Sequence, residues 1–321
     1  MKFLVVTIII FLPLHIIAAP PHKTKICTHD IDRYWAAYDS VLKVTDTTAQ
    51  KQIIQSMYID KASKGLQDFI ASRELSARMY VKNIHQKPKF WASLRPHTLQ
   101  IQSYKTDIEK LMFKFKELYP KFHQPDVYFT IGCLTSGGTT SSEKILIGSE
   151  IAAADSTVDA SELGDWLRGV FKDNRNVVYL VAHELGHTQQ SAGDAESDGN
   201  FNLLCCALRE GSCDFIAELL LGEPIVSPYM SYGKLHEKEL WRKFKKEMGE
   251  RETKNWLYNG GDAPGGNADL GYFMGYAICK AYYDNATDKK KAVADIVELE
   301  YSNTIKVHNF LELSRYPAKW R

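Results

Sequence analysis

Residues 177–188 read Val-Val-Tyr-Leu-Val-Ala-His-Glu-Leu-Gly-His-Thr, an uncharged run that leads into a His-Glu-x-x-His pentad. No other stretch limits the fold so tightly. On a helix, positions i and i+4 share one face, so His183 and His187 can bring both imidazoles to a single metal ion. Glu184 points near the same side, placed to take a proton from an attacking water. Leu180, Val181 and Ala182 mark the helix as buried, as a dry site requires. The competing account is a helix that carries two surface histidines.

A catalytic zinc keeps three protein ligands and one open position, so a further His, Asp or Glu has to arrive from elsewhere. One arrangement puts Gly three and His six residues past the second His. Here those positions are Gln190 and Gly193, and it fails. Another takes a Glu from a second helix. Glu210 fits, with twenty-two residues between it and His187, and Asp214 follows one turn later on the same face. From there Asp214 can accept the second ring N–H of a ligating histidine, which fixes its tautomer and orients the ring. Glu218 is a rival ligand a further turn on, but nothing beyond it supplies the same partner. A Cys-ligated site is disfavoured, because Cys133 lies far upstream in a strand-like run.

Two further features bear on the chemistry. Gly186, inside the pentad, costs about 1 kcal/mol of helix propensity relative to Ala. It reads either as room for backbone or substrate near the metal or as close helix packing. Acyl transfer also needs a hydrogen-bond donor for the developing oxyanion. Tyr272 and Tyr276 lie one turn apart on a late helix, and Tyr276 is the candidate phenol; the alternative is a pair of core tyrosines beside a Gly271/Gly275 packing face. Asp194–Asn202 resembles the start of a calcium loop. Its twelfth position is Cys205 where a bidentate Glu belongs, so a solvated connector is the simpler account.

The rest of the chain sets the context. Forty basic and thirty-nine acidic residues give a net charge of +1, which offers no footprint for nucleic acid. A composition 45% hydrophobic and 25% charged supports a sizeable core, and no repeat is visible. Residues 1–19 place one Lys before an apolar run that closes on Ala18-Ala19, the pattern of a secretory signal peptide. The expected product has no stable membrane span once the signal is removed, and is secreted, periplasmic or extracellular. Cys27, Cys133, Cys205, Cys206, Cys213 and Cys279 make an even set, which suggests disulfides in an oxidising compartment.

Periodicity predicts helices over 28–122, among them one with an apolar face of Ile101, Tyr104, Ile108, Leu111, Met112, Phe115 and Leu118. Residues 126–150 read as a β-hairpin: Val127–Leu134 and Ile145–Gly148 around the turn that holds Gly137-Gly138. Helices return over 162–222 and again over 234–321. No linker divides these parts, so the expectation is a signal peptide followed by one mostly helical α+β domain, 20–321, with a small sheet beside the metal helix. The Ile145–Gly148 strand could pair with an extended peptide by strand addition; an ordinary core strand is the other account.

His183, Glu184 and His187 on one helix, with Glu210 and Asp214 on a second, resemble the gluzincin metallopeptidases from Val177 to Glu218. The chain is also similar to the bacterial family of predicted zinc-dependent proteases of unknown function and to the related GldB-like gliding-motility lipoproteins. There the pentad is followed by a helix of the Glu-Gly-x-x-Asp-Phe type and later by a Gly-Tyr-x-x-Gly-Tyr helix, matched here by Glu210–Phe215 and Gly271–Tyr276. It departs from the lipoproteins in having no lipid-attachment cysteine directly after the apolar run. The resemblance implies a zincin-like fold and a secreted peptidase with one Zn²⁺ per chain, held by His183, His187 and Glu210, with Glu184 as general base and a peptide or protein as substrate. The alternative it carries is a metal-stabilised binding or envelope-assembly protein without turnover.

Overall fold

In the computed structural model, which describes residues 25–172, 177–190 and 201–320, the region between Asp126 and Gly148 holds three strands rather than a two-stranded hairpin. β1 (Ile26–Cys27), β2 (Asp126–Thr130), β3 (Gly138–Ser141) and β4 (Lys144–Gly148) form one sheet in the order β1-β2-β4-β3. The runs expected to be hairpin arms are neighbours, but β2 and β4 are parallel, Val127 opposite Ile145 and Phe129 opposite Ile147. The hairpin is β3 with β4, antiparallel, and the Gly-rich segment read as its turn supplies the outer strand.

The reason lies after Thr130. Cys133 and Leu134 both adopt positive φ (59° and 62°), which turns the chain out of the sheet. Glu150 holds that turn: its Oε1 accepts the N–H groups of Gly132 at 2.8 Å and Leu134 at 2.7 Å. The chain then returns on the far side of β4. β2 and β4 are buried apolar strands, as central parallel strands tend to be, whereas β3 is half-buried at an edge.

Helices cover this sheet. α1 (His29–Val41), α2 (Thr47–Ile54), α3 (Lys64–Ser72), α4 (Ala77–Gln86), α5 (Pro88–Leu99) and α6 (Lys105–Leu118) make the N-terminal part. The apolar face expected to run through 101–118 is broken at its start, where Ile101–Tyr104 forms a short 3₁₀ turn before α6. Tyr34, Trp35, Tyr58, Tyr80, Phe90 and Trp91 are fully buried together in T-shaped and tilted contacts. Tyr58 and Tyr80 donate to the Ile131 carbonyl at 2.9 and 2.7 Å, tying these helices to the end of β2.

α7 (Ser149–Ala152), α8 (Asp165–Lys172), α9 (Val177–Gln189), α10 (Leu203–Leu221), α11 (Pro228–Glu247), α12 (Leu270–Asn285), α13 (Lys289–Val297) and α14 (Thr304–Leu313) follow. The fold is mostly helical α+β. α9 is wedged between the β3–β4 hairpin, α6 and α10, and α10 packs most extensively on α12 and α9. The Asn202 side chain caps α10 by accepting the Cys205 N–H at 3.0 Å, and Gly222 ends it at φ 78°. Gly211 and Gly275 let α10 and α12 touch backbone to backbone.

All six cysteines are buried free thiols, so the expected disulfides are not formed. Three of them share α10, where Cys213 stands seven and eight residues from Cys206 and Cys205. At 1.5 Å of rise per residue that separation is roughly 10–12 Å, too far for a bridge. The signal segment 1–19 and residues 194–200 of the calcium-like loop lie outside the described residues. No helix among the described residues is long and apolar enough to cross a membrane.

Candidate metal centre

α9 is buried from Val177 through Gly186 apart from a half-buried Val178, and its Tyr179 and His183 meet protein partners rather than solvent. His183 Nδ1 lies 2.8 Å from Asp214 Oδ1, and the ring donates there because a carboxylate can only accept. Asp214 has no solvent exposure and also accepts from the hydroxyls of Tyr179 at 2.7 Å and Tyr229 at 3.0 Å. His187 Nδ1 is 3.0 Å from Gln190 Oε1, so its ring donates to the amide oxygen. The amide nitrogen of Gln190 is anchored in turn on the Arg209 carbonyl and Ser212 Oγ. Both Nδ1 atoms are therefore committed, and both Nε2 atoms face Glu210.

Glu210 Oε2 lies 3.2 Å from His187 Nε2 and 3.6 Å from His183 Nε2. Its other oxygen accepts from Tyr258 Oη at 2.8 Å, which fixes which oxygen turns toward the imidazoles. Ligands of a tetrahedral metal at 2.0–2.1 Å stand about 3.3 Å apart along each edge. The two spacings to Glu210 lie close to that edge, and two imidazoles with one carboxylate is a donor set that zinc takes. These residues fit the ion.

The charges are arranged to suit a cation. Burial alone would lower the His183 pKa, but hydrogen bonds with Asp214 and Glu210 outweigh it and push it up to about 10. His187 is likewise held up, against its burial, by Cys213 and Glu210. Burial works to raise Glu210, yet the two imidazoles hold its carboxyl well below the usual range. Glu184 is different. Burial raises it, and the pull of His187, His183 and Arg73 does not cancel that. Its carboxylate sits against β3, where a Cβ on Gly138 would come within 2.5 Å of Oε1. Glycine at 138 is what lets the general-base candidate lie beside the edge strand.

The structure brings His183, His187, Glu210, Asp214 and Glu184 to one place. It does not bring Tyr276 there: that hydroxyl donates to Glu218 Oε2 at 2.8 Å. The phenol at Glu210 belongs to Tyr258, from the loop between α11 and α12, and the Tyr272 ring lies over His183 at 6.1 Å. Glu218 is thereby occupied away from the imidazoles. Gly186 is explained by packing: a Cβ there would meet Cys213 Sγ at 2.8 Å.

Sequence reasoning missed Cys213. Its thiol falls with His183 and His187 in a group whose ligand atoms lie within 4.8 Å of one another. The thiol accepts from Gln190 Nε2 at 3.3 Å, while the free ring nitrogens point at Glu210, so the carboxylate is the better third donor. Cys213 could have been found from its place three residues after Glu210 on α10. Tyr179, four residues before His183, carried a similar local signal; Tyr229 and Tyr258 carried none.

Residues 166–306 match the family described as a predicted Zn-dependent protease (DUF2268). This agrees with the resemblance read from the sequence. The matched span begins in α8 and ends in α14, so it contains α9, α10, the Tyr258 loop and α12 but not the sheet. No curated protein and no solved structure matched the chain.

Proposed function

We propose that this chain is an exported zinc-dependent peptidase. The carrying observation is that Nε2 of His183 and Nε2 of His187 both face Oε2 of Glu210, at 3.6 and 3.2 Å, while the outer atoms of all three are held by other residues. One zinc ion held by these three residues would polarise a substrate carbonyl and acidify a water. The chain's own part in the reaction follows from its geometry. Glu184, protonated more readily than an exposed carboxylate because it is buried, accepts the proton of the attacking water and passes it to the leaving amine. Asp214 keeps the His183 ring in one tautomer and one orientation. Tyr258, rather than Tyr276, is the phenol near enough to donate to a developing oxyanion.

The strand beside this group also bears on substrate. β4 is flanked on both sides, so it cannot add a peptide strand; β3 has no strand on its outer edge among the described residues and runs past Glu184. An extended peptide would pair there. Export rests on the apolar run of residues 1–19.

Hydrolysis of peptide libraries by purified chain, beside zinc analysis, tests the proposal. Glu184→Gln is expected to keep about one zinc per chain and to lose roughly 10²- to 10⁴-fold in kcat. Wild-type chain that binds zinc, melts at higher temperature with it and cuts no peptide would overturn the peptidase and leave a metal-stabilised binding protein.

A further inference from the structure

Besides the two histidines, Glu184 feels the charge of Arg73, which comes from the opposite face of the sheet. In-register side chains share a face, so Gly138, Ile147 and Phe129 point to the Glu184 side, and Thr139, Leu146 and Tyr128 to the other. α3 lies on that other side: Gly65 packs on Tyr128, and Asp68 accepts from Ser141 Oγ at 2.9 Å. Arg73 closes α3 at its C-terminus. Its Nη2 donates to Ser136 Oγ at 3.2 Å, and Ser136 Oγ donates to the Gly138 carbonyl at 2.6 Å. Arg73 and Glu184 thus flank the beginning of β3 from either face.

This guanidinium is under-used. Arginine has five N–H donors in a fixed fork that matches a carboxylate. Among the described residues Arg73 makes that single hydrogen bond and no ion pair, and its Nε is buried with no partner. Nε is closed to solvent, but Nη1 is not buried and has no hydrogen-bond partner among the described residues, so the half-buried guanidinium has a donor open to an anionic ligand supplied from outside the chain. A peptide lying antiparallel on the β3 edge would pass Glu184 at Gly138 and run its C-terminal side toward Ser136 and Arg73. A parallel peptide would instead bring its amino-terminal side, and any terminal ammonium, to the guanidinium.

We propose that Arg73 is a specificity-determining residue that recognises a carboxylate on the leaving-group side of the scissile bond. This rests on the peptidase reading for the position of that bond. The carboxylate can be a C-terminal one or an Asp or Glu side chain.

The test is binding of N-terminally labelled hexapeptides to the zinc-loaded Glu184→Gln chain, followed by fluorescence anisotropy, with hydrolysis by wild type run in parallel. Three peptides are compared: one with a free C-terminal carboxylate, its C-terminal amide, and the amide with one Asp introduced. At least one carboxylate-bearing peptide should bind about 10- to 100-fold tighter than the neutral amide. Tighter binding of the first assigns the C-terminal carboxylate, and of the third an acidic side chain. Adding Arg73→Met should bring the ratio to about one, Arg73→Lys should restore part of it, and Arg73→Glu should favour a Lys-bearing amide. Equal binding of all three peptides, no binding of any, or equal weakening of all three by Arg73→Met would overturn the assignment. Charge-dependent binding without hydrolysis would sink the peptidase and keep the Arg73 site; hydrolysis without charge preference would do the reverse.

Discussion

Glu150 and Glu210 are both buried glutamates, at 0% and 8% exposure, and their surroundings put them to opposite uses. Around Glu150 the donors are backbone N–H groups, and the groups facing it are Tyr34, Tyr58, Tyr80 and the Cys133 thiol. Burial pushes its carboxyl up to about 7 in spite of those amides. Around Glu210 the same desolvation is overcome by two imidazoles, and the carboxyl is held down. Amide donors alone do not offset removal from water at Glu150, whereas imidazoles that also hydrogen-bond the carboxylate do so at Glu210. Glu150 therefore works as a clamp on the turn that carries the chain to β3. Glu210 keeps its charge and offers an oxygen to a cation.

The largest expected effect breaks or upholds the first half of that contrast. The folded pKa of Glu150 is raised from the ordinary 4.5 to about 7, so the native state binds a proton that the unfolded state has already released in that window. The stability it contributes is fully present below about pH 4.5 and is lost as pH rises through about 7. Glu150→Gln keeps an oxygen for Gly132 and Leu134 and does not titrate. Thermal melts of both chains across pH should show the variant gaining on wild type between those limits, by about 3 kcal/mol in all, and running parallel above them. A gap independent of pH would mean that Glu150 is not the buried acid described.

Next comes Asp214→Asn, which sharpens the second half. The change preserves shape but removes the charge that orients His183, and zinc affinity measured by chelator competition should fall about 10- to 100-fold. Unchanged affinity would show that the two tyrosines and packing position the ring without it. The smallest effect is expected of Tyr258→Phe, which deletes one hydrogen bond to Glu210 and should weaken zinc by less than about 10-fold. A loss as large as that of Asp214→Asn would make the phenol, rather than the imidazoles, what holds Glu210 in place.

How much of this was readable beforehand depends on range. Within the α9 pentad and within the Glu210–Asp214 pair the residues stand one helical turn apart, and such spacing fixes which side chains share a face. The strand order was not readable, because nothing in Val127–Thr130 and Ile145–Gly148 distinguishes parallel from antiparallel neighbours. The deciding event is a turn of positive-φ residues, Cys133 and Leu134, held by a glutamate from another element. Tyr276 shows the same limit. Its place on the late helix was visible, but the crossing of α10 and α12 at Gly211 and Gly275 directs it to Glu218.

By itself, then, the sequence determined a buried helix with two imidazoles and a base on one side, a second helix with an acid and its partner one turn apart, and a mostly helical fold around them. Tertiary structure alone decided that Tyr258 meets Glu210, that Cys213 lies under Gly186, that β3 is the open edge and that Arg73 reaches its beginning. Helical periodicity is a property of neighbours in the chain. The partners of each face are joined across 48 residues for Tyr258 and Glu210 and 63 for Arg73 and Ser136, and only packing chooses among such distant candidates.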